Sequence, residues 1–527
     1  MYTDLPHALG HIVRKRRHRQ QSPIDSKPDK VRRALSAPHP TPRYLTMQTP
    51  DCFTEEQLSV FNQCSPRGYI CVVLCFPFNN SRRKDAINHL QQSLARLANE
   101  RPLFAGRLRA TSNGRVVIRQ SRVFDIPFKE VPYDELVPYE DGNEVTYEQL
   151  KRKEFPPERF IHSRYGIPGL GDSTGDLLPV SKVEVAFAPG GLLLSIFLQH
   201  AITDGGSLEV FLKAFGNRTR NISDSLPSEQ RLPVPTPRLH GVESGKLSET
   251  SAFRGLVKSC PEYTILTDLS GPTQPIPQTT GLPISSLRKI GKIFVFTAEK
   301  LDELRDLIMK ENKSDTRPTA YISLATLAFA HITKARIKNE PRLTGIEPSQ
   351  KATLWNSVNW RPRAFPRTAT ENYFGNAVLP AVTRVTREHV NGACYDNGDL
   401  ARLSISVKRS IEVVDEDYVR QRMSMMSQAP DPRMVGVNYD PRSPETLAFN
   451  TWRHFGADAE WDIPGVPVTK PDSIRRATGG WGLGTALLLP AKKNSNRQEL
   501  FVSLSVDAMQ ALCQDERWMR WVDRVIG

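Results

Sequence analysis

Two histidines in this 527-residue chain are each followed four positions later by aspartate, in His200-Ala-Ile-Thr-Asp204 and His454-Phe-Gly-Ala-Asp458. A neutral imidazole with a pKa near ~6.5 takes a proton from an alcohol or amine close to neutral pH, and the nucleophile so formed can attack a thioester carbonyl. The spacing alone is a weak signal, because eleven histidines among common aspartates give chance matches. Context separates the two. His200 closes an apolar run and precedes Thr203-Asp204-Gly205-Gly206, whose glycines permit a tight turn into a helix. A side chain at such a strand end can face a cleft instead of the core. His454 lies in an aromatic, polar stretch without that frame and reads as a coincidental match. On local grounds Asp204 has two readings of equal weight: it pairs with a cation and holds the loop, or it caps the next helix and has no part in chemistry.

The elements that must hold His200 follow from periodicity. Lys182 to Ala188 reads as a strand, Pro189-Gly190-Gly191 as a hairpin turn and Leu192 to Leu198 as a buried strand. Ser207 to Phe215 is an amphipathic helix with Leu208, Phe211 and Leu212 on one side. Upstream, the apolar run Tyr69 to Phe78 has about half the ~20 residues a membrane span needs, so it reads as a buried strand. Ala86, Ile87, Leu90, Leu94 and Leu97 recur at helical spacing, and Pro102 ends that helix. Residues 217–290 are rich in Pro, Ser and Thr and read as a crossover linker. Beyond them the pattern predicts a strand at 293–297, a helix through Met309, an apolar helix at 320–337 and a strand at 354–360. Helices at 399–412 and 416–426, a strand at 499–505 and a helix at 506–526 complete the chain. Strands and helices mix in a similar order in both parts. The expected organisation is therefore a basic tail over 1–48, an α/β N-terminal half over 49–216, the linker, and a C-terminal half over 291–527.

Composition narrows the class. The net charge of +14 suggests a nucleic-acid partner, but residues 1–43 carry ten Lys/Arg against three acidic residues and so supply half of the excess. That stretch lacks an apolar period and reads as a solvated extension ending near Met47. No zinc pattern, stacking motif or helix-turn-helix signature accompanies it, so neither nucleic acid nor membrane is an expected partner. Seven cysteines without a CxxC pair, and no apolar leader, suit a reduced, cytoplasmic protein without a bound metal.

Several segments together carry a resemblance. Gln199-His-Ala-Ile-Thr-Asp-Gly-Gly206 is similar to the HxxxDG motif of the BAHD-type acyltransferase superfamily, especially its fungal branch of trichothecene O-acetyltransferases. Arg101-Pro-Leu-Phe-Ala-Gly-Arg-Leu108 resembles its early "FPxLAGRL" segment. Asn359-Trp-Arg-Pro-Arg363, followed by Asn372-Tyr-Phe-Gly-Asn-Ala377, resembles "DxRxR…YFGNA", with Asn359 in place of the usual Asp. Thr451-Trp-Arg453 and the closing strand and helix also fit, so the resemblance spans roughly residues 50–525. The late DFGWG motif is reduced to Asp462-Ile-Pro-Gly465, ahead of the run Lys470-Pro-Asp-Ser-Ile-Arg-Arg476.

The resemblance implies two chloramphenicol-acetyltransferase-like α/β domains with a central tunnel, and a monomer that joins a small-molecule acceptor to acyl-coenzyme A. It implies His200 as general base and Asp204 paired with Arg361 or Arg363. It further implies Ser323 as a coenzyme A contact, Trp452 as a pocket wall, and Asp462 and Gly465 as members of a structural loop. Acetyl-coenzyme A would be a co-substrate, no cofactor or metal would be bound, and transfer would be direct, without an acyl-enzyme. The acceptor and the acyl length stay open. Two alternatives remain: a condensation-type domain using carrier-bound thioesters, against which Gln199 stands where the first histidine of that family's HHxxxDG would be, and a non-catalytic ligand-binding relative.

Overall fold

Apolar strands set the architecture. The computed structural model describes residues 53–121, 123–137, 144–171, 177–223, 247–267, 269, 281–343, 345, 347–365 and 373–527. The tail expected over 1–48 and Asn372 lie outside them.

Tyr69–Pro77, Ser181–Ala188 and Gly191–Gln199 are dense in Val, Leu, Ile and Phe, which favour a pleated, buried surface. They form the middle of a five-stranded sheet, with Ser473–Ala477 at one edge and Phe128–Glu130 at the other. Ser181–Ala188 and Gly191–Gln199 are joined through Pro189 and Gly190, where Gly190 takes a φ of +81° that a side chain would resist. Every position of Gly191–Gln199 is buried because both faces are covered. Leu192, Leu194, Ile196 and Leu198 pack beneath the helices Arg83–Glu100 and Gly205–Thr219, while Leu193 and Phe197 meet Tyr147 and Phe160 on the other side. The helix Arg83–Glu100 turns Ala86, Leu90, Leu94 and Leu97 inward at three- and four-residue intervals. Truncating any of those leucines to alanine costs about 2–5 kcal/mol.

The second sheet has seven strands, in the order Val378–Thr386, Lys351–Asn359, Thr446–Thr451, Thr485–Leu488, Arg497–Ser505, Lys289–Thr297 and Arg524–Ile526. Its core is completed by the helices Ala298–Glu311, Ala320–Asn339, Asn397–Glu412 and Val506–Cys513. Ala320–Asn339 is buried around most of its circumference, which explains its weak amphipathic signal.

Three expectations are corrected. The segment 217–290 is not wholly linker: the preceding helix runs on to Thr219, a helix spans Leu247–Lys258, and Tyr263–Ile265 pairs with Val435–Val437. Phe253 and Cys260 are fully buried there, contacts that local composition does not reveal. The closing helix does not reach 526. It stops at Cys513, Asp515 caps the short helix Glu516–Met519, and Arg524–Ile526 becomes an edge strand against Lys289–Thr297. Asp515 is fixed at that break by His331, 2.8 Å away, and by Lys334. Finally, the C-terminal part of the chain does not stay in the second lobe. Ser473–Ala477 pairs with Tyr69–Pro77, and Ala457, Ala459, Trp461 and Ile463 pack into the first core. An otherwise unpaired edge of a very apolar strand is thereby covered.

Candidate active site

Gln199 ends its strand opposite Tyr69, which carries His200 to the rim of the first sheet. The backbone of His200 is held from both sides. Its N–H donates to Gly68 O at 2.7 Å, and its carbonyl accepts from Asn376 Nδ2 at 2.8 Å. Asn376 is itself fixed by Asn62, whose Oδ1 accepts from the Asn376 N–H at 2.7 Å and from Nδ2 at 3.0 Å. The imidazole lines a cavity of about 550 Å³ whose walls come from both lobes. Nδ1 is buried without a hydrogen-bond partner among the described residues. Burial pulls the His200 pKa below the usual histidine value, outweighing nearby groups that favour the cation, so the ring is a neutral base at pH 7.

Asp204 is absent from the cavity walls and fully occupied. It is the N-cap of Gly205–Thr219, where Oδ1 accepts from Ser207 N–H at 2.9 Å. Its Oδ2 accepts from Ala377 N–H at 2.8 Å. Arg361 grips both carboxylate oxygens, Nη1 to Oδ2 at 2.9 Å and Nη2 to Oδ1 at 3.0 Å. Burial alone would raise the Asp204 pKa, but Arg361 and these N–H donors hold it below the usual carboxylate range. Cap and ion pair, which local sequence leaves as alternatives, are therefore one arrangement. Its chemistry is positional: an ionised carboxylate with every lone pair committed has none to offer a substrate.

The partner of Asp204 is Arg361. Arg363 points elsewhere, donating to Ile411 O at 2.8 Å near the end of the helix Asn397–Glu412. Asn359 supplies an acceptor to Arg361: its Oδ1 accepts from Arg361 N–H at 3.1 Å and from Nη1 at 3.3 Å. Neither Gly205 nor Gly206 has a positive φ, so the tight-turn argument for them does not hold. Both open the helix, and a Cβ would meet the Phe455 ring at 2.0 Å from Gly205 and Arg361 Nη1 at 2.8 Å from Gly206. Glycine is required there for close approach.

Trp452 is partly buried and lines the cavity. Ser323 is fully buried in its helix, its hydroxyl has no partner among the described residues, and it is not among the cavity walls. Asp462 and Gly465 also lie away from the cavity. Asp462 N–H donates to Thr219 Oγ1 at 3.1 Å. Gly465, at φ +89°, accepts from Asn79 N–H at 2.8 Å, and a Cβ there would stand 2.8 Å from Phe78 and Arg82. That reduced loop clasps the end of the helix Gly205–Thr219 to the turn after Pro77.

His454 is exposed on a turn, and Asp458 binds Lys470 Nζ at 3.0 Å and Lys493 N–H at 2.9 Å. His454→Ala is accordingly expected to leave kcat and KM within about twofold of wild type, as for surface changes away from any site. Steady-state kinetics check this, and a large loss would remove the distinction between the two motifs.

Sequence reasoning assigned no role to Asn62, Trp355, Tyr439 or Arg476, although each bears on the cavity or on its histidine. Of these only Arg476 stands in a segment that the sequence singled out, the run Lys470-Pro-Asp-Ser-Ile-Arg-Arg476, and the strand that aims it at the cavity forms only by pairing with Tyr69–Pro77.

A strand-end histidine over a cavity between two mixed lobes, with its neighbouring aspartate locked by an arginine of the other lobe, defines a two-lobed α/β transferase. A family model described as "Transferase family" matches residues 172–519, and one described as "Trichothecene 3-O-acetyltransferase-like N-terminal domain" matches residues 69–215. The chain belongs to the transferase family, of the BAHD type. Trichothecene 8-O-acetyltransferase of Fusarium sporotrichioides is 23% identical over 473 residues, covering 84% of this chain and 92% of the relative. Eremophilane O-acetyltransferase ORF8 of Penicillium roqueforti is 22% identical over 417 residues, covering 75% and 84%. In fold, the chain is similar to F. graminearum TRI101 complexed with coenzyme A and deoxynivalenol. There the TM-score is 0.70 at 18% identity, over 90% of this chain and 100% of that one.

Proposed function

We propose that this enzyme is an acyl-coenzyme A-dependent O-acyltransferase that moves an acyl group, acetyl by default, onto a hydroxyl of a small secondary metabolite. The observation that carries the proposal is the division of labour between His200 and Asp204. His200 lines the cavity with its pKa lowered by burial, while Asp204 is sequestered in a bidentate pair. The relatives named as O-acetyltransferases and the neighbour crystallised with coenzyme A support the choice of donor and reaction. In this mechanism donor and acceptor reach His200 through a tunnel between the lobes. His200 Nε2 takes the hydroxyl proton, the oxygen attacks the thioester carbonyl, and the tetrahedral adduct expels coenzyme A thiolate, which recovers the proton from His200. Six of the cysteines are free, which suits the reducing cytoplasm. Among the described residues no helix is long and apolar enough to cross a membrane.

Mass spectrometry of the enzyme with acetyl-coenzyme A and a panel of hydroxylated terpenoids and polyketides tests the reaction; no acylated product with any member sinks it. A pH profile tests the base. A general base works only when neutral, so kcat/KM is expected to be full at pH 7 and to be lost as pH falls through the His200 pKa. Because burial lowers that pKa, the acidic limb should lie below the usual histidine range, near 6.5. A limb at or above that value would contradict a desolvated His200.

A further inference from the structure

Among the described residues that line the His200 cavity, Arg476 is the one charged side chain, since His200 is neutral at pH 7, and no Asp or Glu is among them. Arg476 lies on the edge strand Ser473–Ala477 opposite Val72, partly buried. Its neighbour Arg475 faces the other way and is saturated: it donates to Phe155 O at 2.8 Å, to Glu154 O at 2.8 Å and to Glu499 Oε2 at 2.6 Å. Arg476 makes no hydrogen bond, ion pair or ring contact among the described residues. Burial lowers its pKa and no acid opposes the shift. A guanidinium taken partly out of water without a counter-charge is costly, and a ligand anion is the group that would offset the cost. Its planar fork matches a carboxylate in two parallel hydrogen bonds, whereas the rest of the cavity is largely apolar or aromatic, with Trp355 and Tyr439 edge-on at 5.6 Å.

We propose that Arg476 is an anion subsite of this cavity and that one of the two substrates carries a carboxylate which binds there. The proposal rests on the acyl-transfer reading for the identity of the bearer. A hydroxy acid would bring the carboxylate with the acceptor; the thioester of a dicarboxylic acid would bring it with the acyl group.

Isothermal titration of the full chain and of Arg476→Met distinguishes the sources without needing turnover. One arm compares malonyl-coenzyme A with acetyl-coenzyme A. The other compares aromatic and alicyclic hydroxy acids with their methyl esters, in the presence of coenzyme A. In one arm the wild-type enzyme should bind the carboxylate-bearing ligand at least about tenfold more tightly than its neutral counterpart, as one charge-assisted pair supplies. Arg476→Met should abolish that preference and leave the neutral ligand within about twofold, as expected of a contact made only to the charged group. Its Tm should equal or exceed that of wild type, because an uncompensated cation has been removed. No carboxylate preference in either arm overturns the proposal, as does a preference that survives the substitution. So does a lowered Tm, which would make Arg476 a structural residue. If carboxylates bind as expected but no acyl transfer occurs with any acceptor, the acyltransferase reading fails and the subsite stands. If transfer proceeds without the preference, the subsite alone fails.

Discussion

Replacement of His200 by alanine is expected to lower kcat by about 10²–10⁴-fold, the usual worth of a positioned general base, while coenzyme A affinity and Tm stay near wild type. The selectivity of the effect follows from how the residue is held. Both hydrogen bonds that fix it, to Gly68 and from Asn376, involve its backbone and persist in alanine. Nδ1 has no hydrogen-bond partner among the described residues, so truncation breaks no hydrogen bond at that atom. Nothing else on the cavity wall can take its place: the remaining titratable walls are Tyr69, Cys71, Tyr439 and Arg476, and burial pushes the first three up, away from any role as a base at neutral pH. Rapid-quench kinetics and calorimetric titration separate chemistry from binding. Turnover within tenfold of wild type would show that the proton leaves by another route.

The sequence revealed the hairpin that carries His200 because its signals are local: apolar runs, a Pro-Gly-Gly turn and an amphipathic helix, each complete within a few residues. The same holds for the core helices Arg83–Glu100 and Ala320–Asn339. What escaped it depends on distant contacts. Ser473–Ala477 is strand because Tyr69–Pro77, some 400 residues earlier, offers it an edge. The Leu247–Lys258 helix owes its place to Phe253, buried against a remote cluster. The choice of Arg361 over Arg363 is also geometric. The two are separated only by Pro362, yet one reaches Asp204 and the other the carbonyl of Ile411. Motif letters placed both arginines near the site without telling them apart. Gly206 is the inverse case, since its identity was legible and its reason was not: the Arg361 guanidinium passes where a Cβ would stand.

The Asp204–Arg361 pair is expected to behave as a single unit. Arg361→Ala strips the counter-charge from a carboxylate that is only 2% exposed, and Asp204→Ala leaves a guanidinium buried and unanswered, at about 3–5 kcal/mol each. Asp204→Ala also removes the cap of Gly205–Thr219, which adds about 1 kcal/mol. Truncating both partners should cost clearly less than the sum of the single changes, because no lone charge remains; strict additivity would mean that the pair contributes nothing. The pH dependence gives an independent check. In the wild type the Asp204 pKa is depressed below the ordinary carboxylate value, so its stabilisation is present at neutral pH and is lost only as pH falls through that lowered pKa. Without Arg361 the burial that now opposes ionisation loses its main opponent, and the carboxyl should take a proton at higher pH than before. The deficit of Arg361→Ala measured by urea unfolding should therefore be largest at pH 7 and shrink as acidification protonates the stranded carboxyl. The wild type, still ionised, gains nothing over the same interval. A deficit that stays constant from pH 7 to pH 4 would show that the loss comes from packing of the arginine stem and its bonds to the Tyr373 and Gly375 carbonyls, not from charge.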